Sequence, residues 1–200
     1  MPKNAIGTLV PGSISSRLSV PQGIPAPEYV WKPVPAKFTG SHIKTPEQIE
    51  KIRAAGKIAA QAIELAGMAA KPGVRTDELD RLVHEFVLDH GAYPSTLGYR
   101  NYPKSCCTSV NEVVCHGIPD DRPMKSGDII NIDVTVIKDG WHGDTSAMFV
   151  VGETNAFNEK LIRVTRECLY RAIALVKPGT RLGDLGHAIQ QHAEANRFSV

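Results

Sequence analysis

The sequence predicts an α+β fold built from duplicated half-domains, the second half incomplete. Three observations predict it. A helix–Lys-Pro-Gly–helix unit occurs twice. Residues 92–152 lie between the two copies and read as strands and turns. The last two strands form a hairpin, and two aspartates interrupt its β-branched, apolar pattern.

The repeat pairs Lys71-Pro72-Gly73-Val74-Arg75 with Lys177-Pro178-Gly179-Thr180-Arg181, at an offset of 106 residues. Each copy follows a long helical stretch containing Ala-Ile-x-Leu and precedes a shorter one. Pro-Gly after a helix is common by chance. Matched context on both sides favours duplication.

Residues 1–40 form a proline-rich, flexible extension. They hold seven of the 14 prolines and carry Lys3, Arg17, Lys32 and Lys37 against the single acid Glu28. Disorder is the bland reading of such a segment. Docking to an SH3-like domain or to a ribosomal surface is the sharper one. Residues 41–200 are expected to form one folded but incomplete domain. Its first helix starts at Thr45-Pro46-Glu47-Gln48, an N-cap, a first-turn proline and a capping-box Gln, and runs to about Ala70. A second begins near Thr76, with Leu79, Leu82, Val83, Phe86 and Val87 on one stripe, and ends at Gly91. The strand block follows, then helices from about Ala156 to Val176 and Leu182 to Asn196. A sheet built from the first half alone is expected to leave an apolar face and an edge unpaired, so the chain reads as a fragment.

Composition excludes several classes. A formal net charge of +2 favours neither nucleic acid nor a membrane surface. No apolar run approaches the roughly 20 residues of a membrane span, and the N-terminus lacks a basic-then-apolar signal pattern. A cytoplasmic location is expected. Cys106, Cys107, Cys115 and Cys168 include no C-x-x-C and are read as reduced thiols.

Asp133 and Asp144 carry most of the chemical signal. The turn between them contains Lys138-Asp139-Gly140. A loop at 138–139 would set the two aspartates directly opposite each other; a loop at 139–140 would make them diagonal neighbours. Either register puts both carboxylates on one face. Opposed like charges destabilise a sheet, and a divalent cation between them reverses that sign. Local hydrogen bonding near the turn is the plainer alternative.

Two further runs could do chemistry. His116 lies in Asn111-Glu112-Val113-Val114-Cys115-His116-Gly117-Ile118-Pro119, where a strand gives way to a loop, a place that suits a catalytic imidazole. A hydrogen-bonded core histidine is the commoner outcome for such a residue. His142 shares a strand face with Asp144 and is equally a flanking polar side chain. His187 and His192 face different directions on one helix. In Thr96-Leu97-Gly98-Tyr99-Arg100-Asn101-Tyr102-Pro103-Lys104-Ser105-Cys106-Cys107, two tyrosines and a thiol could line a small apolar pocket suited to a thioether. Ordinary turn packing is the alternative.

Taken in order and spacing, these runs resemble the N-terminal half of the type I methionine aminopeptidases, which have the pita-bread fold. The likeness covers roughly residues 44–200, and the arm looks like the extension of some actinobacterial members. The resemblance implies removal of the initiator Met from nascent polypeptide N-termini by a monomeric enzyme. Asp133 and Asp144 would be ligands in a dinuclear divalent-metal site (Co, Mn, Fe or Zn), with Asp144 bridging. His116 would be catalytic and substrate-binding, stabilising the tetrahedral intermediate. Tyr99, Tyr102 and Cys107 would wall the methionine pocket, with Thr96 where many relatives carry Cys. Asn111 and Val113 would offer carbonyls to a monovalent cation, and His142 matches no family ligand. The family adds one His and two Glu from its second half, which this chain lacks, so little activity is expected of the 200 residues alone. Arg197 stands where a Gly is expected. A non-catalytic pita-bread binding module and a proline-specific aminopeptidase or creatinase are the rival readings.

Overall fold

The computed structural model describes residues 10–32, 34 and 37–200. Its contacts divide the chain into two compact units, one running to Glu153 and the other from Thr154 to Val200.

In the first unit, helix α1 spans Pro46–Ala69 and helix α2 spans Thr76–Asp89. The capping box read from the sequence is present: Gln48 N donates to Thr45 Oγ1 at 3.3 Å, and Thr45 N donates to Gln48 Oε1 at 3.0 Å. These two bonds satisfy amides that a helix start otherwise leaves orphaned. Ala55, Ile58, Ala59, Ala62, Ile63 and Ala66 form the buried stripe of α1. Its alanines bring the helix backbone close to the sheet beneath. A Cβ on Gly143 would lie 2.1 Å from Gly56 N, so only glycine fits there.

The sheet contains β1 (Tyr93–Pro94), β2 (Cys107–Val110), β3 (Ile129–Lys138) and β4 (Trp141–Val150), and all pairings are antiparallel. β4 takes one edge of β3 along its whole length. On the other edge, β1 pairs with residues 136–137 and β2 with residues 130–133. Ile130, Ile132, Val134 and Val136 are buried in the core with α1 and α2. The alternate residues Asn131, Asp133 and Thr135 face the other way.

This corrects one expectation. The apolar face of the sheet is covered by α1, and the open face carries polar residues. The unpaired edge remains: among the described residues β4 pairs only with β3.

The described arm residues do not stand apart from the domain. Gly12 N donates to Asp120 Oδ2 at 3.0 Å, and Ser13 N to Asp121 Oδ1 at 2.8 Å. His84 Nε2 lies 3.0 Å from Ser19 O, and Tyr29 donates its hydroxyl to Ser95 O at 2.6 Å. The sequence places a boundary at residue 40. The contacts instead keep residues 10–32 with the first unit and divide the chain after Glu153. Residues 1–9, 33, 35 and 36 of the arm lie outside the described residues.

The second unit pairs α3 (Ala156–Ala174) with α4 (Leu182–Ala195) around Val164, Cys168 and Ala193. It copies the α1–α2 junction in detail. Gly73 and Gly179 have φ of 91° and 89°. Glu78 accepts from Arg75 N at 3.0 Å, and Asp184 accepts from Arg181 N at 2.9 Å. The shorter helices end alike too, with Gly91 at φ 60° and Arg197 at φ 66°.

Candidate metal centre

The hairpin turn decides the register. Asp139 and Gly140 have φ of 51° and 81°, the paired left-handed conformation of a two-residue hairpin loop. Lys138 then pairs with Trp141, Asp133 with Ser146 and Thr135 with Asp144. Asp133 and Asp144 are therefore diagonal neighbours on the open face. Cys107 pairs with Asp133 from β2. Ser95 N donates to Thr135 O at 2.8 Å just beyond β1. One sheet face thus gathers two carboxylates, the Cys107 thiol and the hydroxyl residues Ser95, Thr135 and Ser146.

His116 reaches this face from the loop after β2. Its φ is 54°, uncommon for a side-chain-bearing residue. Gly117 explains how the loop is held. Thr108 N donates to Gly117 O at 2.8 Å, and Gly117 N to Ser109 Oγ at 3.2 Å. A Cβ on Gly117 would sit 2.2 Å from Thr108 O. Tyr102 adds a brace, donating its hydroxyl to Gly117 O at 2.9 Å and Cys106 O at 3.2 Å.

A cavity of about 330 Å³ joins Asp133, Asp144, His116, Cys107, Tyr99 and Thr96. Tyr102 is not among its lining residues; it positions the loop that carries His116. His142, Thr135, Ser95 and Tyr29 complete the wall. Tyr29 carries no motif signal, since it lies in the proline-rich arm. Thr135 was legible only through register. It donates its hydroxyl to Asp144 Oδ1 at 2.7 Å. Asn111 and Val113 fall in the turn after β2, where Asn111 donates through Nδ2 to Asp128 Oδ1 at 2.8 Å and accepts from Ile129 N at 3.0 Å.

The electrostatics follow from this placement. Burial, and then the charge of Asp144, raise the Asp133 carboxyl above its ordinary value, while His116 acts the other way. Burial lowers His142, opposed by Asp144. Burial pushes the Cys107 thiol up to about 11 and the Tyr29 phenol up to about 12, so both keep their protons at neutral pH. Two hard oxygen donors facing one cavity, with no Lys or Arg among the described residues in a salt bridge to them, suit a divalent cation. Among the described residues no three His, Cys, Asp or Glu side chains are placed so that they could hold one metal ion together. The residues present therefore fit part of a metal site rather than a whole one.

A second polar cluster was missed in the sequence. Lys104 is buried and bonds Asp77, Asp80 and Ser15. Asp80 also accepts from Ser105 N at 2.6 Å, and His84 Nδ1 meets Ser105 Oγ at 2.7 Å. The signal was there: Asp80 and His84 sit one residue after Leu79 and Val83 on the inward side of α2.

Residues 50–200 match the model of metallopeptidase family M24. The chain belongs to that family. It is 53% identical over 190 residues to methionine aminopeptidase 2 of Mycobacterium tuberculosis, covering 95% of this chain and 66% of the relative. It is 56% identical over 160 residues to methionine aminopeptidase of Escherichia coli strain K12, covering 79% and 61% respectively. The chain thus spans less than two thirds of the length of these M24 relatives. Among solved structures, methionine aminopeptidase from Rickettsia prowazekii superposes with a TM-score of 0.78 at 50% identity, covering 79% of this chain and 64% of that one. Aminopeptidase P of E. coli, at 24% identity and a TM-score of 0.67, shares the fold. The expected pita-bread, α+β architecture of the M24 family is borne out, and all four cysteines are free, as the sequence implied. No helix among the described residues is long and apolar enough to cross a membrane.

Proposed function

We propose that this chain forms one half of a methionine aminopeptidase centre that removes the initiator Met from nascent polypeptides in the cytoplasm. The observation that carries the reading is the convergence of Asp133, Asp144 and His116 on one cavity walled by Tyr99, Thr96 and Cys107. The names of the M24 relatives support the same activity. A thioether side chain suits such a wall, because sulfur packs well against ring edges.

Asp133 and Asp144 would hold divalent cations, two by family resemblance and drawn from Co, Mn, Fe or Zn. Such ions, when bound, polarise a carbonyl and lower the pKa of water. Thr135 fixes the orientation of Asp144 through its hydroxyl. His116, held over the sheet by Gly117, would donate to the scissile carbonyl oxygen as charge develops there. Asn111 and Val113 would offer carbonyls to a monovalent cation.

Two carboxylates are fewer donors than a divalent ion requires, so the 200 residues alone are expected to bind cations weakly and to release little or no Met. Assaying the chain with a Met-Ala-Ser peptide in Mn²⁺ tests this. Release at rates typical of a complete peptidase contradicts the donor count. A longer form that supplies the remaining His and Glu donors is expected to cleave Met-Ala-Ser in preference to an Xaa-Pro peptide. The reverse preference contradicts the substrate assignment.

A further inference from the structure

The arm supplies a wall of the cavity, and its route there is specific. Backbone groups of Gly12, Ser13 and Ser19 are anchored in turn on Asp120, Asp121 and His84, and Arg17 Nη2 reaches Tyr93 Oη at 3.3 Å and Leu97 O at 3.4 Å. Pro21, Pro25 and Pro27 follow. Ile24 N closes a turn on Pro21 O at 3.1 Å, and Pro27 is extended at φ −71° and ψ 153°. Proline fixes φ before folding, so laying this strap down loses little backbone entropy. A short 3-10 turn over Glu28–Val30 then delivers Tyr29.

Tyr29 makes two contacts there. Its ring meets Tyr99 edge-on, with centroids 5.3 Å apart and planes at 84°. This is a favoured aromatic geometry. Its hydroxyl donates to Ser95 O at 2.6 Å, and Ser95 Oγ lies 3.1 Å away. Ser95 N in turn bonds Thr135 O, directly beside Asp144 in the sheet register. Tyr99 is 44% exposed and its ring otherwise meets the Arg100 guanidinium, 5.5 Å from the ring centroid, in a turn that holds Arg100 and Asn101 at φ 48° and 66°.

We propose that Tyr29 is a positioning residue of the candidate site: it holds Tyr99 upright and closes the cavity over Cys107, making the pocket for an apolar side chain a joint product of arm and domain. The inference rests on reading the cavity as the methionine pocket. It gives the proline-rich segment a role inside the site rather than as a tether to another molecule.

Thiol alkylation tests it without any need for turnover. Cys107 lines the cavity, whereas Cys106 beside it is fully buried in the core. Iodoacetamide labelling of the full chain, resolved by residue in a mass spectrometer, is expected to show Cys107 reacting several-fold faster in Tyr29→Ala, with Cys106 unchanged. Tyr29→Phe keeps the ring and is expected to label at close to the wild-type rate. L-methionine is expected to slow Cys107 labelling in the wild type and in Tyr29→Phe, but not in Tyr29→Ala. Equal Cys107 rates in wild type and Tyr29→Ala overturn the inference whatever methionine does. So does a rise of Cys106 in parallel with Cys107, which reports general opening of the core. If Tyr29→Ala opens Cys107 but methionine protects no variant, the seat of Tyr29 stands and the methionine-pocket reading falls.

Discussion

Thr135 lies directly opposite Asp144 across the β3–β4 ladder and donates its hydroxyl to Asp144 Oδ1 at 2.7 Å. Partners of this kind orient a carboxylate that must ligate a metal, and losing one typically weakens metal affinity by about tenfold or more. Thr135→Val keeps the β-branched shape and removes the hydroxyl. It is expected to weaken Mn²⁺ binding by roughly that factor while leaving the melting temperature nearly unchanged. Undiminished binding would show that Asp144 needs no orienting partner.

Gly117→Ala is expected to displace the loop that carries His116. The added methyl would lie 2.2 Å from Thr108 O, a backbone atom in β2 that cannot swing aside. Overpacking of this kind costs about 1–3 kcal/mol, readable by urea denaturation. The His116 ring resonances should shift in the same variant. Wild-type stability together with unchanged His116 resonances would remove Gly117 from the account.

The two helix-hairpin copies make opposite predictions at matching positions. Gly91 and Arg197 both close a short helix with left-handed φ, donating to Leu88 O and Glu194 O at 2.8 and 2.9 Å. Glycine adopts this conformation freely and arginine does not. Arg197→Gly is expected to stabilise its unit by up to about 1 kcal/mol, and Gly91→Ala to destabilise its own by about as much or more. Thermal melts of the two variants check the pair; shifts of the same sign would contradict it.

Acid sensitivity should report the Lys104 cluster. Burial raises the Asp77 carboxyl, but the bonds from Lys104 and Ser15 outweigh it and hold it below its ordinary value. A depressed carboxyl contributes stability that is present above its unfolded pKa and lost as pH falls through the folded one. Asp77→Asn is therefore expected to be less stable than wild type at neutral pH. The difference should shrink below about pH 4, where an unfolded Asp begins to hold its proton. Asp80 runs the other way: burial raises it, so its linkage favours folding at low pH. A stability gap between wild type and Asp77→Asn that stays constant down to pH 2 would contradict the assignment.

Most helices were legible because their ends carry chemistry as well as periodicity: Thr45 and Gln48 at the start of α1, Gly91 after α2, and the paired Lys-Pro-Gly turns. The shared face of Asp133 and Asp144 was legible from strand alternation alone. Their diagonal placement was not, since choosing between loops at 138–139 and 139–140 depends on which residues accept left-handed φ. The arm escaped for a different reason. Its anchors include the amides of Gly12 and Ser13 and the carbonyl of Ser19, groups that every residue has and that therefore leave no mark in composition. Composition could count the prolines before Tyr29 but could not show that they lead its ring to Tyr99. Lys104 was hidden likewise, because a buried lysine is visible only through the carboxylates it meets.

We propose that Asp133 and Asp144 together take up a divalent cation. Titrating the isotopically labelled chain with Mn²⁺ and following backbone resonance broadening tests it most directly, because even weak binding broadens nearby signals. Broadening is expected to centre on Thr135, Asp144 and Cys107 and to be lost in Asp133→Asn/Asp144→Asn. That variant should also be slightly more stable without metal, by about 0.2–1 kcal/mol, because two like charges are gone from one sheet face. Broadening that is absent from these residues, or that survives the double substitution, would contradict it.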